Sequence, residues 1–127
     1  YLMQWARLQA GRWPELELLY HVPNEGKRTR TTGARLAAEG LKRGVPDLCL
    51  PVARQGCHGL YIELKAIRGG RLSPEQVEWL DALTRQGYMA ACCKGWEEAA
   101  DMIVGYLRAD APAAESGHDP IEREAGA

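Results

Sequence analysis

The 127-residue chain contains no CxxC pair. Cys49, Cys57, Cys92 and Cys93 lack the spacing of a zinc site, and the adjacent pair cannot easily bridge to itself. They read as buried, reduced thiols. No apolar run approaches the ~18 residues of a membrane span, and no charged-then-apolar signal opens the chain. Both absences point away from a spanning or secreted protein and towards a cytoplasmic or nucleoid setting. No internal repeat is present, which sets aside a repeat architecture. Charge of one sign is lacking too: 16 Lys and Arg against 17 Asp and Glu leave a net charge of -1. That balance argues against a strongly basic domain that coats nucleic acid through bulk charge.

What is there qualifies the last point. Residues 108–127 hold Asp110, Glu115, Asp119, Glu122 and Glu124 against two arginines, net -3. Residues 27–71 hold ten Lys or Arg against Glu39, Asp47 and Glu63, net +7. The near-neutral total therefore averages a basic middle and an acidic end. The end, residues 108–127, has no hydrophobic period and is expected to be disordered. Residues 1–107 are expected to form one domain, since 46% hydrophobic residues supply a core at this length.

Residues 2–9 have helical spacing and are stopped by Gly11 and Pro14. LELLYHV (16–22) reads as a strand, with PNEG as the following loop. The basic stretch from Lys27 is loop-like to about Gly33. From there Leu36, Ala37 and Leu41 suggest a helix with Gly44 as its C-cap. VPDLCLPV (45–52), a turn at RQGCHG, and LYIELK (60–65) form an antiparallel hairpin. SPEQ then opens a helix, with Ser73 as N-cap, Pro74 at its first position, Gln76 completing a capping box, and Val77, Leu80 and Leu83 at helical spacing. YMAACC (88–93) reads as a strand. Trp96–Leu107 reads as an amphipathic helix with Ala99, Ile103, Tyr106 and Leu107 inward. The order describes an α/β sandwich, a central sheet of about four strands flanked by helices.

The chemistry lies in the hairpin. Glu63 and Lys65, two apart on one strand, project from the same face, while Leu64 offers its backbone carbonyl. Pairing of the two strands brings Asp47 across from them. Two carboxylates and a carbonyl are hard oxygen ligands, suited to Mg²⁺ or Mn²⁺. Acids and a lysine on a strand are often only a solvated edge with a cross-strand ion pair. Here they alternate with apolar residues, where unpaired charge is costly.

GVPDLCLP (44–51), HGLYIELK (58–65), GGRLSPEQ (69–76) and GYMAACCKGWEEA (87–99), in this order and spacing, resemble the VRR-NUC domain. This is a branch of the PD-(D/E)xK nuclease superfamily found in phage, bacterial and eukaryotic repair proteins. The resemblance runs from about His21 to Leu107 and implies a restriction-endonuclease-like fold with a mixed sheet. It places the family's catalytic residues on Asp47, Glu63, Lys65 and Gln76, and its metal ligands on Asp47, Glu63 and the Leu64 carbonyl. The implied activity is Mg²⁺- or Mn²⁺-dependent hydrolysis of DNA phosphodiesters, structure-selective for branched or Holliday-junction-like DNA, by a homodimer. The resemblance also implies a glutamate in the first helix. No acid precedes Glu15, and Glu15 and Glu17 follow Pro14, so its expected place is upstream of Tyr1.

Lys27, Arg28, Arg30, Arg35, Lys42, Arg43, Arg68 and Arg71 make a basic approach suited to a DNA-binding rim, or else a solvated surface. His58 is either a turn histidine or a neighbour of the metal shell. His21 and Asn24 fit a phosphate-facing loop by the resemblance, and an Asx turn equally well. Trp79 and Trp96 suit core or dimer packing better than base stacking. The alternative to a nuclease is a DNA-binding or assembly module that keeps the fold without cleavage.

Overall fold

The computed structural model describes residues 1–23 and 38–109. Helix α1 (Leu2–Gln9) leads through a 3₁₀ helix (Pro14–Leu18) to β1 (Tyr20–His21). β2 (Leu48–Leu50), β3 (Leu60–Lys65), α2 (Pro74–Arg85), β4 (Met89–Lys94) and α3 (Trp96–Arg108) follow. The four strands lie side by side in the order β1-β2-β3-β4, with β1–β2 and β2–β3 antiparallel and β3–β4 parallel. This mixed sheet flanked by helices is the architecture expected.

One face of the sheet carries Leu48, Leu50, Leu60 and Ile62, all buried against Ile103, Tyr106 and Leu107 of α3 and against Leu2 and Ala6 of α1. The opposite face carries Cys49, Tyr61 and Glu63, and α2 lies on that side, packed chiefly on β4. The four inward residues expected of the last helix are buried, and Ala100 is buried with them. Tyr106 Oη donates to the Val52 carbonyl at 2.6 Å in the interior. Tyr106→Phe would leave that carbonyl unpaired and is expected to cost about 1–3 kcal/mol. Urea melts should show it as a lower midpoint at unchanged slope.

Three local expectations need correction. LELLYHV is only half strand, because Pro14 at the start of a helical turn and the acids Glu15 and Glu17 beside it draw 14–18 into a 3₁₀ helix. The helix expected to reach Gly44 stops earlier. Its described end is Ala38, Glu39 and Gly40 turn, and the rest lies outside the described residues. Gly44 is no C-cap: at φ 91° it lies against α2, where a Cβ would stand 2.6 Å from the Glu75 carbonyl carbon. Val77, at helical spacing with Leu80 and Leu83, is nonetheless 41% exposed. Gln76 is tied to β3, so the inward stripe runs through 76, 80 and 83, and Val77 stands about 100° round the helix.

β2 is also shorter than VPDLCLPV, because Pro46 and Pro51, which lack an N–H, bracket it. Arg54 and Cys57 exchange both backbone hydrogen bonds across Gln55 and Gly56, which both have positive φ, giving a tight hairpin turn. Cys49 and Cys93 are buried and Cys57 and Cys92 half-buried, all four as free thiols. Among the described residues, no helix is long and apolar enough to cross a membrane.

Candidate active site

Asp47 stands one residue before β2, held from both sides. Its carbonyl accepts from the Val22 N–H at 2.6 Å, extending the β1–β2 ladder, and its Oδ2 accepts from the Leu64 N–H at 2.8 Å. The β2–β3 register pairs Leu48 with Ile62, so one step further sets Asp47 beside Glu63. In a strand, a residue's N–H and C=O point the same way. The Leu64 carbonyl is therefore directed towards the Asp47 side, while the Lys65 carbonyl turns to β4 and accepts from Gly95 N–H at 2.9 Å.

Glu63 is 3% exposed. Its Oε2 accepts from Gln76 Nε2 at 3.0 Å and lies 3.8 Å from Lys65 Nζ. Its Oε1 is buried with no hydrogen-bond partner. Burial, and then the Asp47 charge beside it, push the Glu63 carboxyl up to about 7, against a smaller opposing pull from Lys65. The two acids thus crowd each other in a desolvated place, where the pair either shares a proton between its oxygens or faces a cation. Two carboxylates and a carbonyl facing one another form a hard-oxygen donor set that fits Mg²⁺ or Mn²⁺. Among the described residues, no group of three or more His, Cys, Asp or Glu side chains gathers as a metal cluster, and the carboxylates brought together here are the pair Asp47 and Glu63.

Gln76 serves two structures with one side chain. Its Oε1 accepts from the Ser73 N–H at 2.8 Å while the Ser73 hydroxyl accepts from its own N–H at 3.1 Å, which completes the capping box. Its amide nitrogen reaches Glu63. The two readings of this residue left open by the sequence are both realised in its contacts.

Of the basic residues, Lys42, Arg43, Arg68 and Arg71 are exposed, and Lys27, Arg28, Arg30 and Arg35 lie outside the described residues, as does Asn24. Lys42 and Arg43 precede Gly44, which touches α2 one residue from Gln76. Arg68 and Arg71 occupy the loop between β3 and α2. His21 lines a groove of about 460 Å³ with Asp47, Leu64 and Trp96. His58 is remote from the carboxylates: it sits before the other end of β3, its ring against Gly87 and edge-on to Tyr88. Trp96 packs on the core and on Tyr1, and Trp79 is half-buried on α2. Glu15 Oε2 pairs with Arg54 at 2.6 Å, a pairing that sequence spacing could not reveal, and its Oε1 is buried without a partner.

The profile of the VRR-NUC domain matches residues 3–97, which takes in α1, the whole sheet, α2 and the start of α3. A solved structure described as a "VRR_NUC domain protein" superposes with a TM-score of 0.66 at 24% identity, covering 87% of this chain and 92% of that one. At that identity it speaks for the fold. Comparison with curated proteins gives no match. The domain match spans well over half of the chain and contains both carboxylates, the lysine and the glutamine that the fold draws together; this protein belongs to the VRR-NUC domain family, and nuclease-type chemistry on DNA is what that family implies.

Proposed function

We propose that the protein is a Mg²⁺- or Mn²⁺-dependent DNA endonuclease, selective for branched DNA, whose nuclease domain is residues 1–107. The observation that carries this reading is Glu63. A carboxylate 3% exposed, with one oxygen unpartnered and a second acid beside it, is an arrangement suited to holding a cation. Asp47, Glu63 and the Leu64 carbonyl would hold it. When bound, a divalent ion polarises the scissile phosphate and lowers the pKa of a water. Gln76 fixes the Glu63 rotamer by its 3.0 Å bond, so that the carboxylate is oriented before substrate arrives. Lys65, on the same strand face, places its ammonium where negative charge builds on the phosphate. Lys42, Arg43, Arg68 and Arg71 hold flanking phosphates, and Lys27, Arg28, Arg30 and Arg35 extend that basic approach. The protein works as a cytoplasmic homodimer, which lets two such sites meet two strands of a junction.

The test uses supercoiled plasmid and a four-way junction in Mg²⁺, Mn²⁺ or EDTA. Nicking in either metal, absent in EDTA and reduced on the order of 10²- to 10³-fold in Lys65→Ala, supports the enzyme. Binding to DNA without cleavage in any metal, also by protein extended upstream of Tyr1, selects the non-cleaving DNA-binding module instead.

A further inference from the structure

The loop leaving β3 carries a side chain that phosphodiester cleavage does not require. Residues 66–72 read AIRGGRL, two arginines and no acid. Ile67 is 67% exposed. A single exposed aliphatic residue is ordinary on a protein surface, so its position and seating must decide its meaning.

Its position is two residues beyond Lys65, at the end of the sheet where Asp47, Glu63 and Gln76 meet. Its seating comes from close approaches at glycines. Gly70 folds back on the strand end, where a Cβ would stand 2.9 Å from Lys65 Cβ and 2.8 Å from the Ala66 carbonyl oxygen. Gly69 turns the chain at φ 77°. Gly95, at the end of β4, has no side chain, and Ile67 lies on that bare backbone: a Cβ there would stand 2.9 Å from Ile67 Cγ1. One flank of Ile67 is thus seated and the remainder stands in solvent, between the exposed Arg68 and the residues that lead to Arg71. An aliphatic side chain held proud of a basic turn suits entry between stacked bases, with arginines on the neighbouring phosphates.

We propose that Ile67 is a wedge that enters the base stack of DNA beside the phosphate at the Asp47–Glu63 site, with Arg68 and Arg71 holding the phosphates around it. The proposal rests on the DNA-cleavage reading and gives it a source of selectivity within one chain. Opening an intact stack costs energy, and the cost is least where pairing or stacking is already broken. A wedge therefore favours junctions, bulges and nicks over continuous duplex.

The experiment measures binding in EDTA, where cleavage plays no part. Duplex, bulged and four-way-junction DNA carry 2-aminopurine at the candidate step, and the proteins are wild type, Ile67→Ala, Ile67→Leu and an Arg68→Ala/Arg71→Ala double variant. The expected result is a rise in 2-aminopurine fluorescence with wild type and Ile67→Leu, lost in Ile67→Ala. The junction-over-duplex affinity ratio should fall on the order of tenfold or more in Ile67→Ala, since one unstacked step is worth at least that factor. The arginine variant should weaken binding to all three DNAs alike and reduce the salt slope by about one per residue. An undiminished fluorescence rise and junction preference in Ile67→Ala, or no rise with wild type on any substrate, overturns the wedge. Failure of the cleavage reading looks different: the wedge signal persists while parallel reactions in Mg²⁺ and Mn²⁺ leave the DNA intact.

Discussion

Asp47→Asn is expected to lower cleavage on the order of 10³-fold or more, because loss of a metal ligand removes several kcal/mol of transition-state stabilisation. The same substitution should leave the metal-free fold as stable as before, or slightly more so. The reason lies in how Asp47 is held. Its structural bonds are a backbone carbonyl to Val22 and a side-chain oxygen accepting from the Leu64 N–H, and asparagine retains an oxygen for each. What it discards is the negative charge that helps push Glu63 up to about 7. Removing one of two crowded carboxylates relieves repulsion in the apo protein while it removes a ligand from the metal-bound one. Plasmid nicking in Mg²⁺ and thermal melts in EDTA read the two effects separately. Retained nicking, or a melting temperature clearly below wild type in EDTA, would count against the assignment of Asp47 as a ligand rather than a structural anchor.

The hairpin that brings Asp47 to Glu63 was legible because its signals are local. LCL and LYIELK alternate in a strand pattern, RQGC closes them with two positive-φ residues, and the register then follows from the turn. The cap of α2 was legible for the same reason, Ser73 and Gln76 being three residues apart. What could not be read depends on partners distant in the chain. Glu15 finds Arg54 thirty-nine residues on, a pairing that no local pattern announces. Gly44 looks like a helix cap in sequence, yet its role is set by the Glu75 backbone that approaches it. Val77 fits the apolar stripe of α2 until Gln76 is tied to Glu63 and rotates the helix. The 3₁₀ helix at Pro14–Leu18 is a case of competing local signals, where the proline outweighed a β-compatible run.

The net charge of -1 was a poor guide for a related reason. It counts Asp47 and Glu63 as surface acids, yet Glu63 is buried and faces Asp47 rather than solvent. In the stretch 27–71 this leaves Glu39, which is exposed, against nine cations once Arg54 is set aside with Glu15. A divalent ion held by the two site carboxylates would cancel their charge as well, so the surface presented to a phosphate backbone is more basic than the composition suggests.

Glu63→Gln is expected to stabilise the metal-free protein at pH 8 while abolishing cleavage, and the pH dependence of that gain is its signature. The carboxyl is raised from the ordinary 4.5 to about 7, chiefly by burial and then by Asp47. Between those two values the native state keeps a proton that the unfolded chain has released, so stability falls as pH rises through the window and levels off above it. The contribution is complete below 4.5 and lost above about 7. By the free energy of one pKa unit, the loss is at most about 3 kcal/mol. Glutamine occupies the same volume, is neutral at every pH, and still offers an oxygen to Gln76 Nε2. Wild type and Glu63→Gln should therefore melt together near pH 4.5 in EDTA and separate progressively towards pH 8, with the variant the more stable. Adding Mg²⁺ or Mn²⁺ should reverse the order at pH 8, since ligand binding to the native state stabilises wild type and has lost a ligand in the variant. Melting curves that stay parallel from pH 4.5 to 8 in EDTA would show that Glu63 is solvated and ionised throughout, and that its buried, unpartnered oxygen is not the strained half of a metal site.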